Sequence, residues 1–143
     1  MTTEKNIARI IGAFDKISKV FASMESFACD TSLSKLELMT LECISKEREL
    51  IMTELANSLG IGLSTATGII DRLIGKKLVS RERNHGDRRV VKVSLTKKGE
   101  KTVFDYQKQK KEVIEKMMNM LSVKEQEDFI LILEKLADAS KEN

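Results

Sequence analysis

The 143-residue chain is 41% hydrophobic and 33% charged, with no proline, no tryptophan and a formal net charge of +3. This excludes intrinsic disorder, which requires too little apolar surface to form a core, and no apolar run approaches the ~20 residues of a membrane span. One domain's worth of chain is expected, with long helices unbroken by proline; the N-terminus shows no basic start ahead of an apolar core, so two reduced thiols in a cytoplasm are expected.

The first predicted element runs from Ile7 to Ala28. Ile7, Phe14, Phe21 and Ala28 are seven apart, and Ile10, Ile17 and Met24 interleave three residues later. That is a heptad seam, apolar at both key positions. It requires burial in an intramolecular core or against a second copy of the chain. The second copy is favoured, because the seam is longer than the small central part can cover.

Ser34 begins the next helix, with Ser34 and Glu37 in the spacing of a capping box. Leu36, Met39, Cys43 and Ile44 follow at helical spacing, and Glu47 to Glu49 read as a charged break. Thr53 to Leu59 predict a short helix ended by Gly60. The helix after it carries Ala66, Ile69, Ile70 and Leu73 on one apolar stripe. Short helix, glycine-containing turn and second helix have the spacing of a helix-turn-helix.

Val79 to Arg83 and Val90 to Leu95 predict two strands joined by the turn formers of "NHGDR", with Val91, Val93 and Leu95 on the buried side. Thr96 can cap a long helix reaching about Met120, whose stripe is Val103, Tyr106, Val113, Met117 and Met120, interrupted by Lys110. Ser122 and Glu125 form a second capping box before a last helix bearing Phe129, Leu133 and Leu136. The expected fold is mainly α with a small β-hairpin wing. Residues 1–30 form a dimerisation helix, 31–100 a winged helix-turn-helix, and 101–143 C-terminal dimerisation helices. Ile7, Ile10, Phe14, Ile17, Met117, Phe129, Leu133 and Leu136 are the expected dimer contacts.

The charge is unevenly spread. Lys76 to Lys101 contain ten basic and three acidic residues, a local +7 that leaves −4 for the rest of a +3 chain. Such asymmetry points to a polyanion partner, most often nucleic acid; the alternative is a solvated lysine-rich surface.

With these elements in place, the whole length resembles the MarR family of bacterial transcriptional regulators. The specific part is "DRRVVKVSLTKKG", which is similar to that family's wing signature. "ELANSLGI", "IIDRL" and "KKLVSRE" match its helix-turn-helix and the start of its wing. The resemblance implies a homodimer on palindromic double-stranded DNA near a promoter. It also implies repression relieved by a small, often apolar or phenolic effector seated between the DNA-binding domain and the dimer helices. By the same resemblance, Arg89 at the wing tip reaches the minor groove and Asp87 holds it. A narrow minor groove has enhanced negative potential and favours a guanidinium. The alternative for Asp87 and Arg89 is a plain surface ion pair.

At about 100° per residue, Ser64, Gly68, Asp71 and Gly75 lie opposite the apolar stripe of the second motif helix, with Thr67 and Arg72 on the flanks. That face is expected in the major groove. Ser64, Thr65 and Thr67 offer single hydrogen bonds, and none supplies the bidentate pairing that discriminates bases strongly. Gly68 stands where family members often carry a larger polar residue, and Gly62 where they often cap with Ser. The expected DNA-facing set is Ser64, Thr65, Thr67, Gly68, Arg72, Lys76, Arg81, Arg83, His85, Asp87, Arg88 and Arg89, with Arg72 as a phosphate clamp.

Other function classes fit less well. Redox sensing would use Cys29 or Cys43. Cys29 lies at a helix C-terminus beside Asp30, where the dipole and the carboxylate blunt a thiolate. Cys43 sits on an apolar face, where burial is expected. The single histidine, His85, lacks the companions that a metal site needs. Neither a phosphate-cradling loop nor a nucleophile elbow is present, so no catalytic residues and no cofactor are expected. A helical interaction module without DNA specificity is the remaining alternative; the basic wing argues against it.

Overall fold

The computed structural model describes residues 3–28, 33–83, 86–87 and 90–141. In chain order they form α1 (Glu4–Ala28), α2 (Lys35–Glu47), β1 (Glu49–Ile51), α3 (Met52–Leu59), α4 (Leu63–Gly75), β2 (Val79–Arg83), β3 (Val91–Leu95), α5 (Lys97–Met118) and α6 (Val123–Lys141). The chain divides into two units, residues 1–109 and 110–143.

In the first unit, α2, α3 and α4 pack with a three-stranded antiparallel sheet of order β1-β3-β2. The core is Leu41, Ile44, Leu55, Ala66, Ile69, Ile70, Leu73, Leu78, Val79 and Val93, with Val103 of α5 against them. The stripe expected on α4 is buried throughout: Ala66, Ile69, Ile70 and Leu73 are at most 1% exposed. Each of the three larger side chains contributes about 1.5–3 kcal/mol by leaving water. On β3, Val93 is buried while Val91 and Leu95 pack partly against the core, as the alternation predicts.

Two expectations need correction. The charged stretch Glu47–Glu49, read as a break, ends in a strand. β1 pairs with β3 in the register Glu49↔Ser94, Leu50↔Val93 and Ile51↔Lys92, so the wing sheet has a third strand beyond the hairpin. Leu50 is buried and drives that pairing. The stripe assigned to α2 is also displaced. Leu38, Leu41 and Ile44 are buried, whereas Met39 is exposed and Leu36 and Cys43 are only partly covered. α2 is apolar on more than one side, so spacing alone cannot choose the inward face.

Local chemistry sets the helix ends. α3 stops at Gly60, whose left-handed φ of 65° lets its N–H turn back to the Asn57 carbonyl at 3.1 Å. α4 starts at Gly62 with no side-chain cap. It ends in a paired turn in which the Leu78 N–H reaches Leu73 O at 3.0 Å and the Lys77 N–H reaches Ile74 O at 2.9 Å. Thr96 caps α5: its Oγ1 accepts from the Gly99 N–H at 3.1 Å and donates to Lys77 O at 2.7 Å.

In the second unit, the Ser122–Glu125 capping box is reciprocal. Glu125 N–H donates to Ser122 Oγ at 3.2 Å and Ser122 N–H to Glu125 Oε2 at 2.8 Å. α6 has no buried residue. Phe129, Ile132, Leu133 and Leu136 share one of its faces and are all exposed, and α1 likewise exposes Ile7, Ile10 and Phe14, with Ile17 half-buried. Met117 is half-buried. No helix among the described residues is long and apolar enough to cross a membrane.

Candidate nucleic-acid interface

The α3–turn–α4 pair exposes the face expected to meet DNA. Ser64, Thr65, Asp71 and Gly75 are exposed, and Thr67 and Gly68 are half-buried. The Thr67 hydroxyl donates to Leu63 O at 2.9 Å, so it can only accept from a base or a donor on DNA. Gly68 has room beside it. A Cβ added there would meet only Arg72 Nη1, at 3.8 Å.

The Gly68 site yields a prediction. Its backbone needs no glycine, and an alanine inside a helix is favoured by about 0.5–1 kcal/mol. Gly68→Ala is expected to raise the unfolding free energy by that amount, seen as a higher denaturant midpoint at unchanged m-value. An unchanged or lowered midpoint would refute the open space seen at this position. A simultaneous loss of DNA affinity would mark close approach of the helix to the DNA backbone.

The cations at the base of this surface have partners. Lys76 Nζ lies 2.8 Å from Glu37 Oε2, and Arg72 Nε lies 3.8 Å from Glu37 Oε1. Arg81 Nη1, on β2, lies 2.9 Å from Asp71 Oδ1 on α4, an exposed pair that joins the wing strand to the helix. Glu37 is only 5% exposed. Its backbone N–H donates to the capping Ser34 Oγ at 3.1 Å, but its carboxylate faces Lys76 and Arg72 instead of closing the box.

Glu37 is thus a residue of this surface that spacing assigned to a different job. The available signal was a lone carboxylate in register with Leu41 and Ile44, a position where an unpaired charge is costly. Thr40, fully buried beside it, satisfies its hydroxyl on Leu36 O at 2.7 Å.

The wing is β2 and β3, paired from Val79↔Leu95 to Arg83↔Val91, with Ser80 Oγ and Ser94 Oγ 3.0 Å apart. Arg83 is exposed at its far end, as is Asp87, whose carbonyl accepts from the Val90 N–H at 3.1 Å. His85, Arg88 and Arg89 lie outside the described residues, and so does the expected Asp87–Arg89 brace. Of the two cysteines, Cys43 packs partly against the core cluster and Cys29 lies outside the described residues. The redox-sensing alternative finds no support.

Known proteins share this arrangement. Residues 33–91, which span α2 through the start of β3, match the family model described as MarR family. The chain is 29% identical over 129 residues to the HTH-type transcriptional repressor MdtR of Bacillus subtilis, covering 90% of this chain and 81% of that one. Among solved structures, a MepR-like protein complexed with pseudoligands is 31% identical, with a TM-score of 0.64 over 95% of this chain and 94% of that one. Streptococcus pneumoniae FabT in complex with DNA has the same fold, with a TM-score of 0.80 at 22% identity over 97% and 96% of the two chains. The match centres on the helix-turn-helix and wing that the residues themselves build, and it extends over nearly the whole length in these relatives; the chain belongs to the MarR family of winged helix-turn-helix transcriptional regulators.

Proposed function

We propose that this regulator is a sequence-specific repressor that binds a palindromic operator as a homodimer and leaves it when a small apolar effector binds. The observation that carries the reading is the face of α4 with Ser64 and Thr65 exposed and Thr67 half-buried, beside a wing in the +7 segment. A helix in the major groove with a basic wing at its side suits duplex DNA. Repression is supported by the names of relatives such as MdtR. Dimerisation through residues 1–30 and 101–143 is supported by the exposed apolar faces of α1 and α6. A small-molecule effector is supported by the pseudoligands held by the MepR-like relative, and its apolar character by the Met, Ile, Leu and Phe content of α1, α2 and α5.

Sequencing of genomic DNA captured by the purified protein tests this. It should return sites with two inverted half-sites about one helical turn (~34 Å) apart. Recovery of DNA without a common motif would refute sequence specificity.

Because Ser64, Thr65 and Thr67 lack bidentate pairing and Arg72 and Lys76 already face the Glu37 carboxylate, the wing is expected to dominate affinity. Arg89→Ala should cost about 1–3 kcal/mol on such a site, a factor of about 5–150, and Ser64→Ala under about 1 kcal/mol. Equal losses in titrations at fixed salt would overturn that ranking.

A further inference from the structure

The geometry points to Glu37 as a positioning residue that withholds two cations, Arg72 of α4 and its C-cap Lys76, from DNA phosphate and so holds down non-specific binding. The inference rests on the DNA-binding reading above and assigns that surface its electrostatic setting.

The two oxygens of one buried carboxylate each face a different cation at the C-terminal end of α4, Arg72 and the C-cap Lys76, one turn apart. Oε2 meets Lys76 at 2.8 Å and Oε1 meets Arg72 Nε at 3.8 Å. The Glu37 side chain is 7% exposed, that of Lys76 30% and that of Arg72 58%. A surface pair in this place would open freely to a competing phosphate. A buried carboxylate cannot, because leaving it unpaired in a dry site is strongly unfavourable. Lys76 is therefore held firmly, and the longer contact of Arg72 makes it the looser of the two.

Free lysine and arginine on a groove-facing helix attract every duplex equally, since phosphate is sequence-independent. What regulates a gene is the ratio of specific to non-specific affinity. Placing a carboxylate beneath the helix lowers the non-specific term while leaving the hydroxyls of Ser64, Thr65 and Thr67 in place. Lys76 and Arg72 then position α4 against α2 rather than adding to the phosphate count.

The test is the salt dependence of binding to a mixed-sequence duplex of about three turns, which requires no knowledge of the operator. Each phosphate neutralised adds about 0.9 to the slope of log affinity against log salt. Glu37→Gln keeps the side chain's shape and one acceptor but removes the charge. It should steepen the slope by about 1–2 per protomer and tighten binding several-fold at about 50 mM salt. Adding Arg72→Gln and Lys76→Gln to that variant should return the slope to the wild-type value. A folded Glu37→Gln protein, judged by its melting curve, with an unchanged or shallower slope overturns the inference.

Lys76→Gln in the wild-type background tests the same point even if Glu37→Gln does not fold. Its slope should equal wild type, and a drop of about 1 per protomer would show Lys76 already on phosphate. A wild-type protein that shows no salt-dependent duplex binding refutes the DNA-binding reading itself, a result distinct from either variant outcome.

Discussion

Gly99→Ala is expected to be among the most destabilising single-methyl additions in this protein. A Cβ at Gly99 would fall on the Leu78 carbonyl oxygen, well inside van der Waals contact, and 3.1 Å from the Leu78 carbonyl carbon. Both atoms are main chain, so no rotamer change can relieve the clash. The same carbonyl already accepts the Thr96 N–H at 3.1 Å, and Thr96 in turn binds Lys77 O and the Gly99 N–H. This knot fastens the first turn of α5 to the turn between α4 and β2. Alanine would gain about 1 kcal/mol of helix propensity. Forcing the backbones apart costs more, typically 1–3 kcal/mol for overpacking alone, with loss of the knot in addition. A net loss of about 2–4 kcal/mol, or roughly 10 °C in Tm, is expected by calorimetry. A variant within about 0.5 kcal/mol of wild type would refute the close approach. The wing motif's glycine thus has a packing reason independent of any DNA contact.

Much of the fold was legible because period and capping agreed along the chain. The α4 stripe, the β3 alternation, the Gly60 stop and the Ser122–Glu125 box each combine a spacing with a residue type that has one good structural solution. Legibility failed where tertiary contacts chose between local options. β1 is three residues long, too short to show alternation, and exists because β3 offers an open edge to Leu50. α2 has more than one apolar side, and only the placement of α3, α4 and β3 buries Leu38 and Leu41 in preference to Met39.

The candidate site divides in the same way. Which residues of α4 face outward follows from helical period, and the exposure of Ser64, Thr65 and Asp71 agrees with it. Which cations are available to phosphate does not, because that depends on carboxylates distant in sequence. Glu37 is 39 residues before Lys76, and local spacing gave it a complete local role as a capping residue. Asp71 and Arg81 are ten apart across an element boundary. A basic count over Lys76 to Lys101 therefore overstates the charge that the α4 side presents. The balance shifts toward the wing and the exposed lysines Lys97, Lys98 and Lys101 at the start of α5.

Leu133→Glu is expected to abolish self-association and, with it, tight operator binding. Phe129, Ile132, Leu133 and Leu136 line one face of α6 in full view of solvent, and Ile7, Ile10 and Phe14 do the same on α1. An apolar stripe left exposed along a helix face marks an interaction surface. In a two-fold dimer each substitution occurs twice at one interface. Losing a buried leucine costs about 1.5–3 kcal/mol per copy. Desolvating a carboxylate adds several more unless the dimer opens. A total above about 5 kcal/mol weakens association more than a thousandfold. The position is exposed in the protomer, so its fold should survive, with circular dichroism unchanged. Sedimentation at micromolar concentration should then show a monomer, while Lys135→Glu, on the polar side of α6, should remain dimeric. With one half-site engaged at a time, operator affinity should fall about 10²–10⁴-fold. A Leu133→Glu protein that sediments as a dimer would place the interface elsewhere. One that is monomeric yet binds the operator undiminished would show that the two half-sites are not read together.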